Sequence, residues 1–196
     1  MRTFLAALLL VLSGGAMAQS EVYRVDPELT SAEFAVGHLG LSTQHGHFVR
    51  TRGTIVLDRG THTGRIDFVV DATSVDTGWT ARDDFLRSED MFDAEHYPVV
   101  RFHSTQLTFD QDQLVRVTGD LTMRNVTRRV DLRVARLDCG KDPANGREGC
   151  GAEVDTKIKR SDFGMSYAVA MVGDDVDLSF QVTAFRVPDL GEEEQP

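Results

Sequence analysis

Val176-Asp177-Leu178-Ser179-Phe180-Gln181-Val182-Thr183-Ala184 alternates apolar and polar residues without a break. That period of two belongs to a strand with one dry face and one wet face. The same rhythm recurs through the chain. Phe34, Val36 and His38 share one parity; Ile66, Phe68, Val70 and Ala72 oppose Asp67 and Asp71; Val130, Leu132 and Val134 oppose Asp131, Arg133 and Ala135. Further strands are predicted at about 21–26, 47–58, 98–109, 113–124 and 153–160, set apart by turn signals such as Asp58-Arg59-Gly60, Asp110-Gln111-Asp112 and Gly173-Asp174-Asp175. About eight strands, several of them long, around one interior predict a mostly β protein: an antiparallel barrel that closes its own edges. An eight-stranded barrel is just wide enough to be filled by side chains or to hold one slender ligand. Periodicity does not choose between the two.

One segment breaks the pattern. In residues 76–98, Trp79 and Leu86 lie seven apart, as do Phe85 and Phe92, so at helical spacing the two rows form one apolar stripe. A short helix is predicted there, its stripe laid against the barrel and its charges, Arg82, Asp83, Asp84 and Arg87 among them, toward water.

At the amino end, Met1-Arg2-Thr3 precedes an apolar run from Phe4 to Leu12 and then Ala16-Met17-Ala18, the layout of a cleavable secretory leader over residues 1–18. Its run is too short to span a bilayer, and the expectation is a periplasmic protein without stable membrane insertion. The barrel domain is expected over 19–188, with an acidic flexible tail at 189–196. With 31 acidic against 21 basic residues the net charge is −10, which sets nucleic acid aside as a partner. Cys139 and Cys150 bracket a polar, turn-rich stretch, and an oxidising compartment lets them pair as a loop clamp. A redox role is disfavoured because the spacing is not Cys-x-x-Cys.

Catalytic patterns are absent: the chain has no Gly-x-Ser-x-Gly elbow, no His-Glu-x-x-His and no phosphate-cradling Gly loop. His45 and His47, two apart and so on one strand face, are the basis of a rival reading as a metal-binding protein or metal-dependent hydrolase, although spacing fixes no third ligand. No cofactor is indicated.

Several blocks, in order along the chain, resemble the YceI-like family of periplasmic polyisoprenoid-binding proteins. They are Tyr23-Arg24-Val25-Asp26-Pro27, Ser31 to Gly40, Gly46-His47-Phe48 with Gly53 to Asp58, Ser74 to Gly78 with Arg82-Asp83, Leu86-Arg87-Ser88 and Met91-Phe92-Asp93, Tyr97-Pro98 with Phe102-His103-Ser104, and Arg160 to Met165. The resemblance implies a lipocalin-like, elongated eight-stranded antiparallel barrel with a short helical segment near one end. It also implies a non-catalytic carrier of a polyisoprenoid lipid, an isoprenoid quinone or a polyprenol. Parity and resemblance together nominate Phe34, Val36, Phe68, Val100, Phe102, Leu178 and Phe180 as pore lining, with Trp79, Phe85, Leu86, Phe92 and Phe163 from the end segments. Arg82 and Asp83 are expected either to pair and pin the helix or to meet a ligand head group, and His38 either to sit satisfied inside the barrel or to touch ligand. Edge geometry adds a homodimer as an expectation.

Overall fold

The computed structural model describes residues 20–188, so the predicted leader and acidic tail lie outside the described residues. Ten strands of five residues or more and one two-residue strand make a single antiparallel sheet. The first four are two long strands, each broken once. β1 (Glu21–Val25) and β2 (Ser31–His38) pair in succession along the same edge of β11 (Val172–Arg186), Tyr23 opposite Arg186 and Val36 opposite Val176. After a tight turn at Leu39 and Gly40, β3 (Ser42–Phe48) and β4 (Thr51–Asp58) return alongside β2 and β1. The predicted strand over 47–58 is therefore interrupted at Val49 and Arg50 and starts earlier.

From β4 the ladder runs through β5 (Thr63–Asp71), β7 (Val99–Asp110), β8 (Gln113–Met123), β9 (Val126–Lys141) and β10 (Glu148–Lys159) to β11, and β11 closes onto β1. The two-residue β6 (Val75–Asp76) extends the wall beside β3. Counting each broken pair once gives a closed eight-stranded barrel. Closure pairs the strand edges through the body of the barrel, which removes the edge argument for a dimer. β11 alone has 15 residues, roughly 50 Å at about 3.3 Å per residue, so the barrel is tall.

Alternation holds along β11, where Val176, Leu178, Phe180 and Val182 are half-buried while Asp177, Ser179 and Gln181 are exposed. The inward side chains are only half-buried because they face a cavity. The most deeply buried inward side chains, Phe102, Leu114, Val117, Leu121, Val134 and Ile158, lie where β7, β8, β9 and β10 meet, and they too border the hollow interior. Outside, ion pairs ladder the strands, Arg133 to Asp155 at 2.7 Å and Lys157 to Asp177 at 3.0 Å. Exposed pairs of this kind contribute at most about 1 kcal/mol each, so the apolar interior and the backbone ladder hold the fold.

Two elements differ from their sequence reading. The helix, α1, covers only Thr80–Arg87, so Trp79 is its N-cap and Phe92 lies beyond its end. The stretch from Cys139 to Cys150 is half strand: Cys150 sits opposite Cys139 and the ladder continues to Glu148 and Lys141, leaving a turn of six residues, 142–147. The disulfide is present and bridges two neighbouring strands, with a Cα–Cα distance of 4.0 Å.

Candidate functional site

Along β11 the inward residues read as rungs of a tunnel. Val172, Val176, Leu178 and Phe180 line a cavity of about 510 Å³, and Leu178, Phe180, Val182 and Ala184 line a second of about 120 Å³. The two chambers share Phe68, Phe102, Leu121, Leu178 and Phe180. Phe68 and Phe180 meet edge to face at the shared wall, ring centroids 5.9 Å apart, and form a waist. Gly119, opposite Ser104 on β7, makes room for the third ring: a Cβ there would stand 2.4 Å from the tip of Phe102.

The larger chamber reaches the surface at the end bearing α1, where Trp79, Phe85 and Tyr167 line it and are still 62%, 38% and 53% exposed. A row of rings leads inward from the end segment: Phe92 packs edge-on to Phe48 at 5.4 Å, and Phe48 lies 5.7 Å from Phe34. Gly46 permits this row, since a Cβ would fall 2.3 Å from the tip of Phe34.

Polar groups gather at the mouth. Asp83 is buried and accepts hydrogen bonds from the Thr77 backbone N–H at 2.8 Å and the Thr77 hydroxyl at 2.5 Å. Arg82 donates to the Thr77 hydroxyl at 2.8 Å, to the Thr77 carbonyl at 2.9 Å and to the side-chain carbonyl of Gln44, and its guanidinium lies 5.7 Å from the centre of the Trp79 ring. The expected ion pair between Arg82 and Asp83 is not formed; each side chain instead grips Thr77. They pin the entry to α1 together, Asp83 from the first helical turn where the helix dipole favours a carboxylate.

Of the residues nominated from sequence, Phe34, Val36, His38, Phe68, Trp79, Arg82, Phe85, Leu86, Phe92, Val100, Phe102, Leu178 and Phe180 all line the larger chamber. Asp83 and Phe163 do not. Asp83 is turned to Thr77, and Phe163, 1% exposed at the end of a 3-10 turn (Arg160–Phe163), is core. The sequence reading missed Phe48, Met123, Met165 and Tyr167, which also line it. Met123 could have been found by extending the parity of Val117 and Leu121 along β8; Met165 and Tyr167 lie on an irregular segment where no period applies.

Arg160 was also overlooked as a site residue. It is 3% exposed, borders the chamber, and donates to the carbonyls of Gly173 at 3.0 Å, Met165 at 2.7 Å, Tyr167 at 2.7 Å and Val172 at 2.9 Å. Burial pushes its guanidinium below the ordinary arginine range. Four carbonyl acceptors around one buried cation make the segment 164–173 a fixed part of the mouth. His45 and His47 do share the outward face of β3, but among the described residues no group of three or more His, Cys, Asp or Glu side chains could hold a metal ion.

The arrangement is an apolar tube with a polar collar, suited to holding a long, thin hydrophobic molecule. Comparison with known proteins agrees on the architecture. BcnA of Burkholderia cenocepacia superposes with a TM-score of 0.70 at 22% identity, covering 81% of this chain and 98% of that one. A polyisoprenoid binding domain from Saccharophagus degradans, implicated in plant cell wall breakdown, gives 0.63 at 20%, covering 85% and 98%. Protein YceI of Escherichia coli O6:H1 is 35% identical over 179 residues, 90% of this chain and 92% of that protein. The YceI-like domain matches residues 23–184, and the chain belongs to the YceI-like family.

Proposed function

We propose that this chain binds and carries one polyisoprenoid-type lipid, an isoprenoid quinone or a polyprenol, in the periplasm, and that it does so without catalysing a reaction. The observation that carries this reading is the two-chamber apolar tunnel, about 510 Å³ and 120 Å³, with its waist of Phe68, Phe102 and Phe180. A polyisoprenoid has almost nothing to hydrogen-bond and asks only for apolar surface. Each five-carbon unit contributes roughly 4 kcal/mol gross at about 0.8 kcal/mol per methylene-sized group. Association and ordering cost about 4 to 15 kcal/mol, so a tail of about three to six units is needed before affinity reaches the micromolar range.

The collar of Arg82, Gln44, Thr77 and His38 supplies donors and acceptors at the open end, where a quinone ring or an alcohol would rest. The polyisoprenoid-binding character of the Saccharophagus degradans domain supports the choice of cargo, and the leader-like residues 1–18 support the compartment.

Native mass spectrometry of the protein purified from a periplasmic extract, followed by solvent extraction, tests the reading. An added mass that extracts into organic solvent and fragments in five-carbon steps is expected. A bare polypeptide mass, unchanged after incubation with quinones and polyprenols, would overturn it, as would a mass excess matching zinc or copper in place of lipid.

A further inference from the structure

The mouth of the large chamber is ringed by apolar side chains that no other described residue covers. Among the described residues, eleven large hydrophobic side chains are exposed, and seven of them stand here: Leu39, Leu41, Trp79, Phe85, Tyr167, Val169 and Met171. They come from three separate segments that the fold draws together. Leu39 donates its backbone N–H to the Met171 carbonyl at 2.7 Å, which joins the β2–β3 turn to segment 164–173. Phe85 meets Tyr167 edge to face, centroids 5.2 Å apart, and joins α1 to that same segment. Arg160 holds the segment in place from beneath.

Charge is scarce along this rim, with one exception: α1 presents Phe85 between Asp84 and Arg87. Asp, Glu, Lys and Arg make up 27% of the chain, yet none occurs in residues 34–49, 77–81 or 163–173. The charges that border the rim are mostly spent: Asp84 pairs with Arg87 at 2.7 Å, Lys159 with Asp175 at 2.8 Å, and Arg160 is buried. A surface that exposes Trp, Tyr, Leu and Met with few formal charges, those of α1 paired, matches the headgroup boundary of a lipid bilayer, where amphipathic rings settle and charges are costly.

We propose that this rim is a membrane-docking surface, which seats the open end of the barrel on a zwitterionic bilayer so that the cavity mouth faces the acyl region. The occupant is a bilayer because the ring surrounds an opening. A protein seated on it would cap the tunnel, whereas a bilayer continues the tunnel into apolar medium. The net charge of −10 disfavours strongly anionic surfaces, so attachment is by shallow insertion of apolar side chains and is reversible. Docking does not depend on the identity of the cargo; only its use for loading and unloading rests on the lipid-carrier reading.

Trp79 is the sole tryptophan of the chain and stands on the rim, so it reports contact without labelling. The test is flotation of the full chain with phosphatidylcholine–phosphatidylethanolamine vesicles free of isoprenoid, combined with quenching of Trp79 by brominated acyl chains. Because the vesicles hold no isoprenoid, failure of the cargo reading leaves the result unchanged. The protein is expected to float and to be quenched. The double variant Leu41→Asp with Met171→Asp, both exposed and outside the cavity lining, is expected to lose at least nine-tenths of the floated fraction while staying folded. Three results would overturn the proposal: quenching without flotation, which means acyl uptake into the cavity alone; equal flotation of the double variant; or no flotation together with a doubled mass in light scattering that the double variant halves, which means that a second copy covers the rim.

Discussion

Gly119 shows how single positions shape the tunnel. A Cβ there would meet the Phe102 ring at 2.4 Å and the His103 carbonyl at 2.5 Å. The ring could turn aside, but the backbone carbonyl cannot, so Gly119→Ala is expected to destabilise the protein by about 1 to 3 kcal/mol, read as a lowered urea midpoint at unchanged slope. Asp83 is the second informative residue. Its carboxylate takes both donors of Thr77 under burial, so Asp83→Ala strands those donors and removes a charged acceptor, at an expected cost of about 2 kcal/mol in the same measurement. Parity made Phe34, Phe68, Phe102, Leu178 and Phe180 legible, because a strand side chain has only two faces to choose from. It does not reach Phe163 and Asp83, which sit in a 3-10 turn and a helix where the choice of neighbour is tertiary.

At the scale of elements, the strands were legible where the period ran unbroken and illegible where it slipped. β9 changes parity at Ala135, where its pairing with β10 shifts register between Glu153 and Val154, and the inward row passes from Val134 to Leu137. A bulge of this kind adds one residue to one strand and has no composition of its own. The turn-rich look of residues 139–150 is right for 142–147 and fails only at the flanks, where pairing of β9 with β10 overrides weak local preference when a disulfide and eleven paired neighbours on the far side of β10 hold the strand. That bridge lies near the Ala184 end of β11, opposite the mouth. Reduction is expected to cost about 2 to 3 kcal/mol by freeing the unfolded chain while leaving lipid bound. Loss of lipid on reduction would instead tie the bridge to the smaller chamber, which Cys150 lines.

The two residues that flank segment 164–173, Ser161 and Asp174, form an acid-sensitive contact. Asp174 accepts from the Ser161 backbone N–H at 2.9 Å and the Ser161 hydroxyl at 2.8 Å, and these bonds hold its carboxyl below the usual carboxylate value despite some burial. A lowered folded value means that the contribution is complete above the unfolded value of about 3.9 and is lost as pH falls through the lowered one. Thermal midpoints of the protein and of Asp174→Ala are therefore expected to differ at pH 7 and to converge below about pH 4. A gap that stays constant down to pH 3 would show that the contact is steric.

Over the whole molecule, the sequence carried the closed barrel, its one dry interior and the end bearing the helix, because eight alternating strands have few other ways to bury one face. It could not show that the interior is hollow or that it narrows at a waist. Those are properties of how Phe180 from β11 meets Phe68 from β5 across the barrel, with Phe102 beside Phe68 on β7. It also could not show that three charge-poor segments converge on one rim. The central claim is that an isoprenoid chain lies along this tunnel. The measurement that reaches it most directly is photo-crosslinking with a polyprenol bearing a diazirine near the end of its tail, followed by peptide mapping. Label on Phe34, Phe68, Leu178 or Phe180 is the expected result; label confined to outward residues, or competed by none of the unlabelled polyprenols, would contradict it.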